Sequence, residues 1–184
     1  MSLPPTPPNA VLDSSVLVQR WSRVVLQRLV ARADPDPPFV PFWSEWIIAE
    51  TWRTLTSRWL DRVAQARELE GASLRTTANR MMRRLIPVMH LVSLRGYSGP
   101  APWPDLTDVD DEPNGQTAVV ARAQYVVSQN LRHFPTLVRG QHAYGGVEYL
   151  TAIEFIEDVL GVSAAAVHLQ PLPSGSSLRS GRQP

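Results

Sequence analysis

The stretch DVDDEPNGQTAVVARAQYVVSQNLRHFP, residues 108–135, decides how this chain is read. It lies in an acid-rich run. Asp105, Asp108, Asp110, Asp111 and Glu112 supply five of the chain's 17 acidic residues within a few positions. Carboxylates this close repel one another, so a fold that gathers them generally has a cation to place between them. The plain alternative is an acidic loop solvated at the surface. Beyond Pro113-Asn114-Gly115, TAVVARA reads as a short helix and YVVS as a short strand. Acid, helix and strand thus follow one another directly.

Working outward, short apolar runs alternate with helical patterns on both sides of this stretch. Ala10-Val11-Leu12 reads as a strand ending at Asp13, followed by a helix from Ser14 or Ser15 to about Ala33. Val18, Trp21, Val25 and Leu29 share its apolar spacing, while Arg20, Arg28 and Arg32 face elsewhere. Phe39-Val40-Pro41-Phe42 reads as a strand that its proline places at a sheet edge or strand end. Ser44 is the expected N-cap of a helix running through Trp46, Ile47, Glu50 and Leu55. Helices near 58–70 and 74–86 lead to a strand at 88–92, with His90 expected as a core histidine. YSGPAPWPDL (97–106) is a Pro-rich connection without a helix. Val147–Leu150 reads as the last strand and 152–160 as a closing helix ended by Gly161. His133 and His142 are expected in loops. Five strands separated by helices predict an α/β fold with a central parallel sheet covered on both faces.

The 184-residue length suits one domain, read here as 9–163. A Pro-rich extended segment (1–8) precedes it, and a Ser/Gly/Pro/Arg tail (171–184) expected to be disordered follows. All 18 basic residues are arginine, which excludes P-loop and Schiff-base lysines. The lack of cysteine excludes thiol nucleophiles, disulfides and thiolate zinc sites. No membrane-spanning apolar run and no signal-peptide pattern is present, so a soluble cytoplasmic protein is expected. A net charge of +1 means that any nucleic-acid contact must come from a local patch.

In a parallel sheet the ligand crevice lies at the carboxyl ends of the strands. Asp13 ends the first strand, Asp111 precedes the helix that leads to Tyr125, and Asn130 follows the strand at Val127. Glu50 lies one turn beyond Trp46. Each also has an ordinary structural role: Asp13 and Asp111 as helix N-caps, Glu50 as a surface glutamate, Asn130 as a turn residue. Their joint placement is what points to a site.

AVLDSSVLV, WIIAETWRTL, the 108–135 stretch and VEYLTAIEFIEDVL together resemble the PIN-domain family, in the subgroup of ribonuclease toxins of toxin–antitoxin systems. The similarity spans roughly 9–160. The most specific part is the Asp-x-x-Asp, helix, strand, Ser-x-Asn and Phe-Pro order of 108–135. The resemblance implies a three-layer α/β/α sandwich of about five parallel strands and a metal-dependent endoribonuclease. It implies Mg²⁺ or Mn²⁺ held by Asp13, Glu50 and Asp111, with Asp108, Asn130 and Ser128 in the metal or water shell. It further implies an RNA substrate, an antitoxin partner and a homodimer. Two departures from the family pattern, Asn130 in place of an acid and His133 where an acid is common, lower the negative charge of such a site. Asn114-Gly115 replaces apolar residues, so a loose first helical turn is expected.

A negative site needs basic surface nearby to attract RNA. Arg53, Arg58, Arg62, Arg67, Arg75, Arg80, Arg83 and Arg84 crowd one helical region. Arg58/Arg62 and Arg80/Arg84 each share a helix face at i,i+4, as RNA contacts or as an ordinary solvated face. Trp52 and Trp59 are expected in the core rather than stacked on bases. The competing readings are a catalytically weak or inactive PIN-like module that binds RNA or a protein, and a phosphatase-like hydrolase. The last would require a second Asp two residues after Asp13, where Ser15 stands.

Overall fold

The computed structural model describes residues 6–32, 36–57, 71–99, 109–133, 137–138 and 141–169. The elements are β1 (Asn9–Leu12), α1 (Ser14–Val18), α2 (Arg20–Arg32), β2 (Val40–Ser44), α3 (Glu45–Thr56), α4 (Gly71–Leu85) and β3 (His90–Val92). A 3-10 turn (Val109–Asp111) leads into α5 (Glu112–Ala121) and β4 (Tyr125–Val127). A second 3-10 turn (Leu131–His133), β5 (Leu137–Val138), β6 (Gln141–Tyr144) and β7 (Val147–Leu150) follow. Helix α6 (Ala152–Glu154) passes directly into a π-turn (Phe155–Val159), and α7 (Ala164–Leu169) closes the described chain.

The strands form one sheet in the order β3-β2-β1-β4-β7-β6-β5. The first five strands are parallel, with Val11 opposite both Phe42 and Val126, and Val126 opposite Tyr149. Strands β6 and β5 add an antiparallel edge. From β1 the chain steps outward to β2 and β3, then returns to place β4 on the other side of β1. Crossovers of the usual right hand would put the β1–β3 helices over one face and α5 over the other. That layering is compatible with a three-layer α/β/α sandwich. The reversal also makes the gap between the carboxyl ends of β1 and β4 the topological switch point, where open α/β sheets bind ligands.

Burial follows the expected pattern. Ala10, Val11, Val126 and Val127 are wholly buried, as strands covered on both faces require. Val25 and Leu29 of α2 enter the core, with Val18 and Trp21 packed against it. Phe155 is held edge-on by Phe39 at 5.1 Å and packs beside Tyr125 at 5.5 Å, tying the closing helix to the sheet. Trp52 packs against the core as expected; Trp59 and the stretch 58–70 lie outside the described residues. No helix among the described residues is long and apolar enough to cross a membrane.

Several local expectations are corrected. The helix predicted from Ser14 to Ala33 breaks at Gln19. There the buried Arg23 guanidinium donates to the carbonyls of Leu17 (2.8 Å) and Val18 (3.0 Å), so it stands in for the missing helical donors at the end of α1. Burial, and then the neighbouring Arg20, push its pKa down to about 10. Strand β2 is internal rather than an edge, and Pro41 lies next to its first residue, as the strand-end alternative allows. Its Pro41 is tolerated because Val40 N–H points to β1, donating to Pro8 O at 2.9 Å, so position 41 faces β3, whose pairing begins only at Phe42. His90 is exposed on edge strand β3, its ring 5.4 Å from Phe42, rather than in the core. His142 lies in β6 and His133 in a 3-10 turn. Strands β5 and β6 and helix α7 were not predicted. Segment 171–184 lies outside the described residues.

Candidate functional site

Asp13 follows β1 and Ser128 follows β4, and they meet across the switch point. The strands are adjacent there, Asp13 N–H donating to Val127 O at 3.0 Å. The Ser128 hydroxyl, fully buried, donates to Asp13 Oδ2 at 2.7 Å, and Ser15 Oγ donates to the same oxygen at 2.6 Å. The Gln129 amide donates to Ser15 Oγ and the Asn130 amide to Ser128 Oγ, each at 3.0 Å. The loop after β4 is thereby pinned to the start of α1. Asn114 Nδ2 reaches Asp13 Oδ1 at 3.3 Å. Two hydroxyls engage Oδ2 while Oδ1 receives one long amide contact, so Oδ1 keeps lone-pair capacity.

Asp13 occupies the N-cap position of α1, yet its side chain makes no capping hydrogen bond. Asp111 precedes α5 in the same way and caps nothing. By contrast, Ser44 accepts from Ile47 N–H as the cap of α3. Neither carboxylate makes the standard N-cap bond, and that of Asp13 is committed instead to Ser15 and Ser128.

Glu50 is half-buried on α3, and its pKa is raised above the ordinary 4.5. Burial is the main cause, and the charges of Asp13 and then Asp111 add to it. A hydrogen bond from Ser14 and the charge of Arg53 oppose the shift. Asp13, Glu50 and Asp111, from three separate elements, therefore share one electrostatic environment at the carboxyl edge of the sheet. A cleft opens beside them, lined by Trp46, Ile47, Glu50, Arg53, Asp110, Pro113 and Asn114.

In chemical kind these donors suit a hard divalent cation: carboxylate oxygens, plus the buried side-chain oxygen of Asn114, which has no hydrogen-bond partner among the described residues. The charges of Asp13 and Asp111, which add to the effect of burial on Glu50, are ones that a cation would offset. As they stand, however, no three His, Asp or Glu side chains among the described residues are gathered to hold an ion.

Of the other expected site residues, Asp108, Arg58 and Arg62 lie outside the described residues. Asn130 enters the network through its backbone N–H. Arg80 and Arg84 are exposed on α4 and do not line the cleft. Asp110 also lines the cleft. The first turn of α5 is not loose: Asn114 and Gly115 are buried within a regular helix. Asn114, Ser14 and Ser15 were missed as site residues. Asn114 stands three positions after Asp111, a spacing that puts both on one helix face, and that was the available signal. Compared with known proteins, the chain finds no match among family models, characterised proteins or solved structures.

Proposed function

We propose that this protein is a metal-dependent endoribonuclease of PIN-domain type, hydrolysing RNA phosphodiester bonds as the toxin of a toxin–antitoxin pair. The observation that carries the reading is the Asp13–Ser128 pair across the β1/β4 switch point, with Glu50 and Asp111 close enough to act on each other. Asp13, Glu50 and Asp111 would hold Mg²⁺ or Mn²⁺, with Asp108 and Asn130 in the surrounding shell. When bound, the cation would supply charge stabilisation for the phosphoryl group and make water a better nucleophile near neutral pH.

The chain's own residues do the rest. Ser15 and Ser128 fix Asp13 by its Oδ2, which leaves Oδ1 for the site. Ser14 and Arg53 favour ionised Glu50 against the neighbouring carboxylates, so that its oxygens can act as ligands. Arg80 and Arg84 offer exposed positive charge for the RNA backbone. An antitoxin and a second copy of the chain are the expected partners.

A second reading has its own support. Among the described residues no three acids are gathered to hold an ion, and Asn130 supplies no charge, as suits a weak or inactive PIN-like module that binds RNA or a protein. Incubating the purified chain with RNA separates the two. The nuclease cleaves RNA with Mn²⁺ and stops when Asp111 is changed to Asn. The binding module retains RNA in chelator and turns none over.

A further inference from the structure

We infer that Asn114 is a working member of the site, holding Asp13 with its amide N–H and offering its side-chain oxygen as a neutral ligand to the divalent cation. The inference rests on the metal-dependent reading above and adds a residue that the resemblance to the PIN family does not supply. Three observations carry it. Asn114 is 2 % exposed, and its Oδ1 is buried with no hydrogen-bond partner among the described residues. Its Nδ2 donates to Asp13 Oδ1 at 3.3 Å, so the amide is oriented with its oxygen directed away from that carboxylate. It also lines the cleft together with Glu50 and Asp110.

A buried amide oxygen without a donor loses its hydration for nothing in return, and such orphans are uncommon. A divalent cation accepts neutral carbonyl oxygens from asparagine alongside carboxylates. One residue would then both hold a carboxylate ligand and donate an oxygen. Asn114 would also supply an oxygen to a site in which Asn130 replaces an acid.

The test is Mn²⁺ binding to the full-length chain, freed of metal by chelator and dialysed, followed by titration calorimetry. Thermal unfolding in chelator accompanies it. Asn114→Leu removes both the donor and the oxygen, with Asn114→Ala as its counterpart should the leucine variant not fold. Asn114→Asp removes the donor but keeps an oxygen in place. The expected results are Mn²⁺ affinity reduced about 10- to 100-fold in the leucine or alanine variant, and affinity at least equal to wild type in the aspartate variant. The aspartate variant should also be less stable in chelator, because a new carboxylate then faces Asp13.

Equal weakening in the aspartate and leucine variants would show that Asn114 only orients Asp13, and would overturn the inference. Unchanged affinity in the leucine variant overturns it too. Those outcomes leave the nuclease reading standing if the wild-type chain binds Mn²⁺ and cleaves RNA. Absence of Mn²⁺ binding by the wild-type chain removes both.

Discussion

Ser128→Ala tests whether the two strand ends are joined as described. The hydroxyl is wholly buried, donates to the Asp13 carboxylate at 2.7 Å and accepts the Asn130 amide at 3.0 Å. A hydrogen bond to a charged group contributes about 1.5–3 kcal/mol. Ser15 still donates to Asp13 Oδ2 at 2.6 Å in the variant, which argues against the top of that range. Asn130 is only half-buried, so the loss of its amide's acceptor adds only a little. The expected loss is about 2 kcal/mol, or a thermal midpoint lower by roughly 4–8 °C for a domain of this size. Urea unfolding in chelator measures it without interference from metal. The same substitution in an Asp13→Asn background should cost clearly less, because the buried charge that the hydroxyl serves is gone. A loss below about 0.5 kcal/mol, or an equal loss in both backgrounds, would refute the Asp13–Ser128 link.

Other consequences follow from named groups. Glu50 has a raised folded-state pKa, so its ionisation opposes folding, and Glu50→Gln should stabilise the metal-free chain at neutral pH. That gain should be absent below the ordinary value of 4.5, where Glu50 is protonated in both states, and should grow as pH rises through the raised folded value. Urea unfolding across pH 4 to 8 checks the sign, and a gain that is largest in acid would contradict it. Arg23→Met should destabilise by about 2–4 kcal/mol, because two carbonyls at the end of α1 lose their donor; a change under 1 kcal/mol in urea unfolding would rule out that capping role. Arg80→Glu with Arg84→Glu should weaken RNA binding and flatten its dependence on salt by about one or two phosphate contacts, while leaving Mn²⁺ affinity unchanged. An unaltered salt slope would place the RNA elsewhere.

Much of the parallel core was legible because a strand covered on both faces must be apolar throughout, and Ala10-Val11-Leu12 and Tyr125-Val126-Val127 are apolar and short. Asp13 was legible from its place at a strand end, and Ser44 from cap chemistry. The break at Gln19 was not, because a single guanidinium folded back on two carbonyls leaves no periodic trace. Pro41 marked a strand end rather than an edge, because β3 has no residue facing it and its pairing begins only at Phe42. Strand β5 is only two residues long and β6 carries Gln141 and His142, so their pairing depends on tertiary placement more than on pattern. Asn114 was read as a flaw in a helix start. Only the three-dimensional meeting of α5 with Asp13 shows that a polar residue is needed there.

The most direct measurement is cleavage of a labelled RNA by the purified chain, comparing wild type with Asp13→Asn, each with Mn²⁺ and with excess chelator, after confirming that both are folded. Cleavage by wild type with Mn²⁺ alone, and none by Asp13→Asn under either condition, is the result that the account predicts. Cleavage that survives chelator, or that Asp13→Asn retains in full, would contradict it.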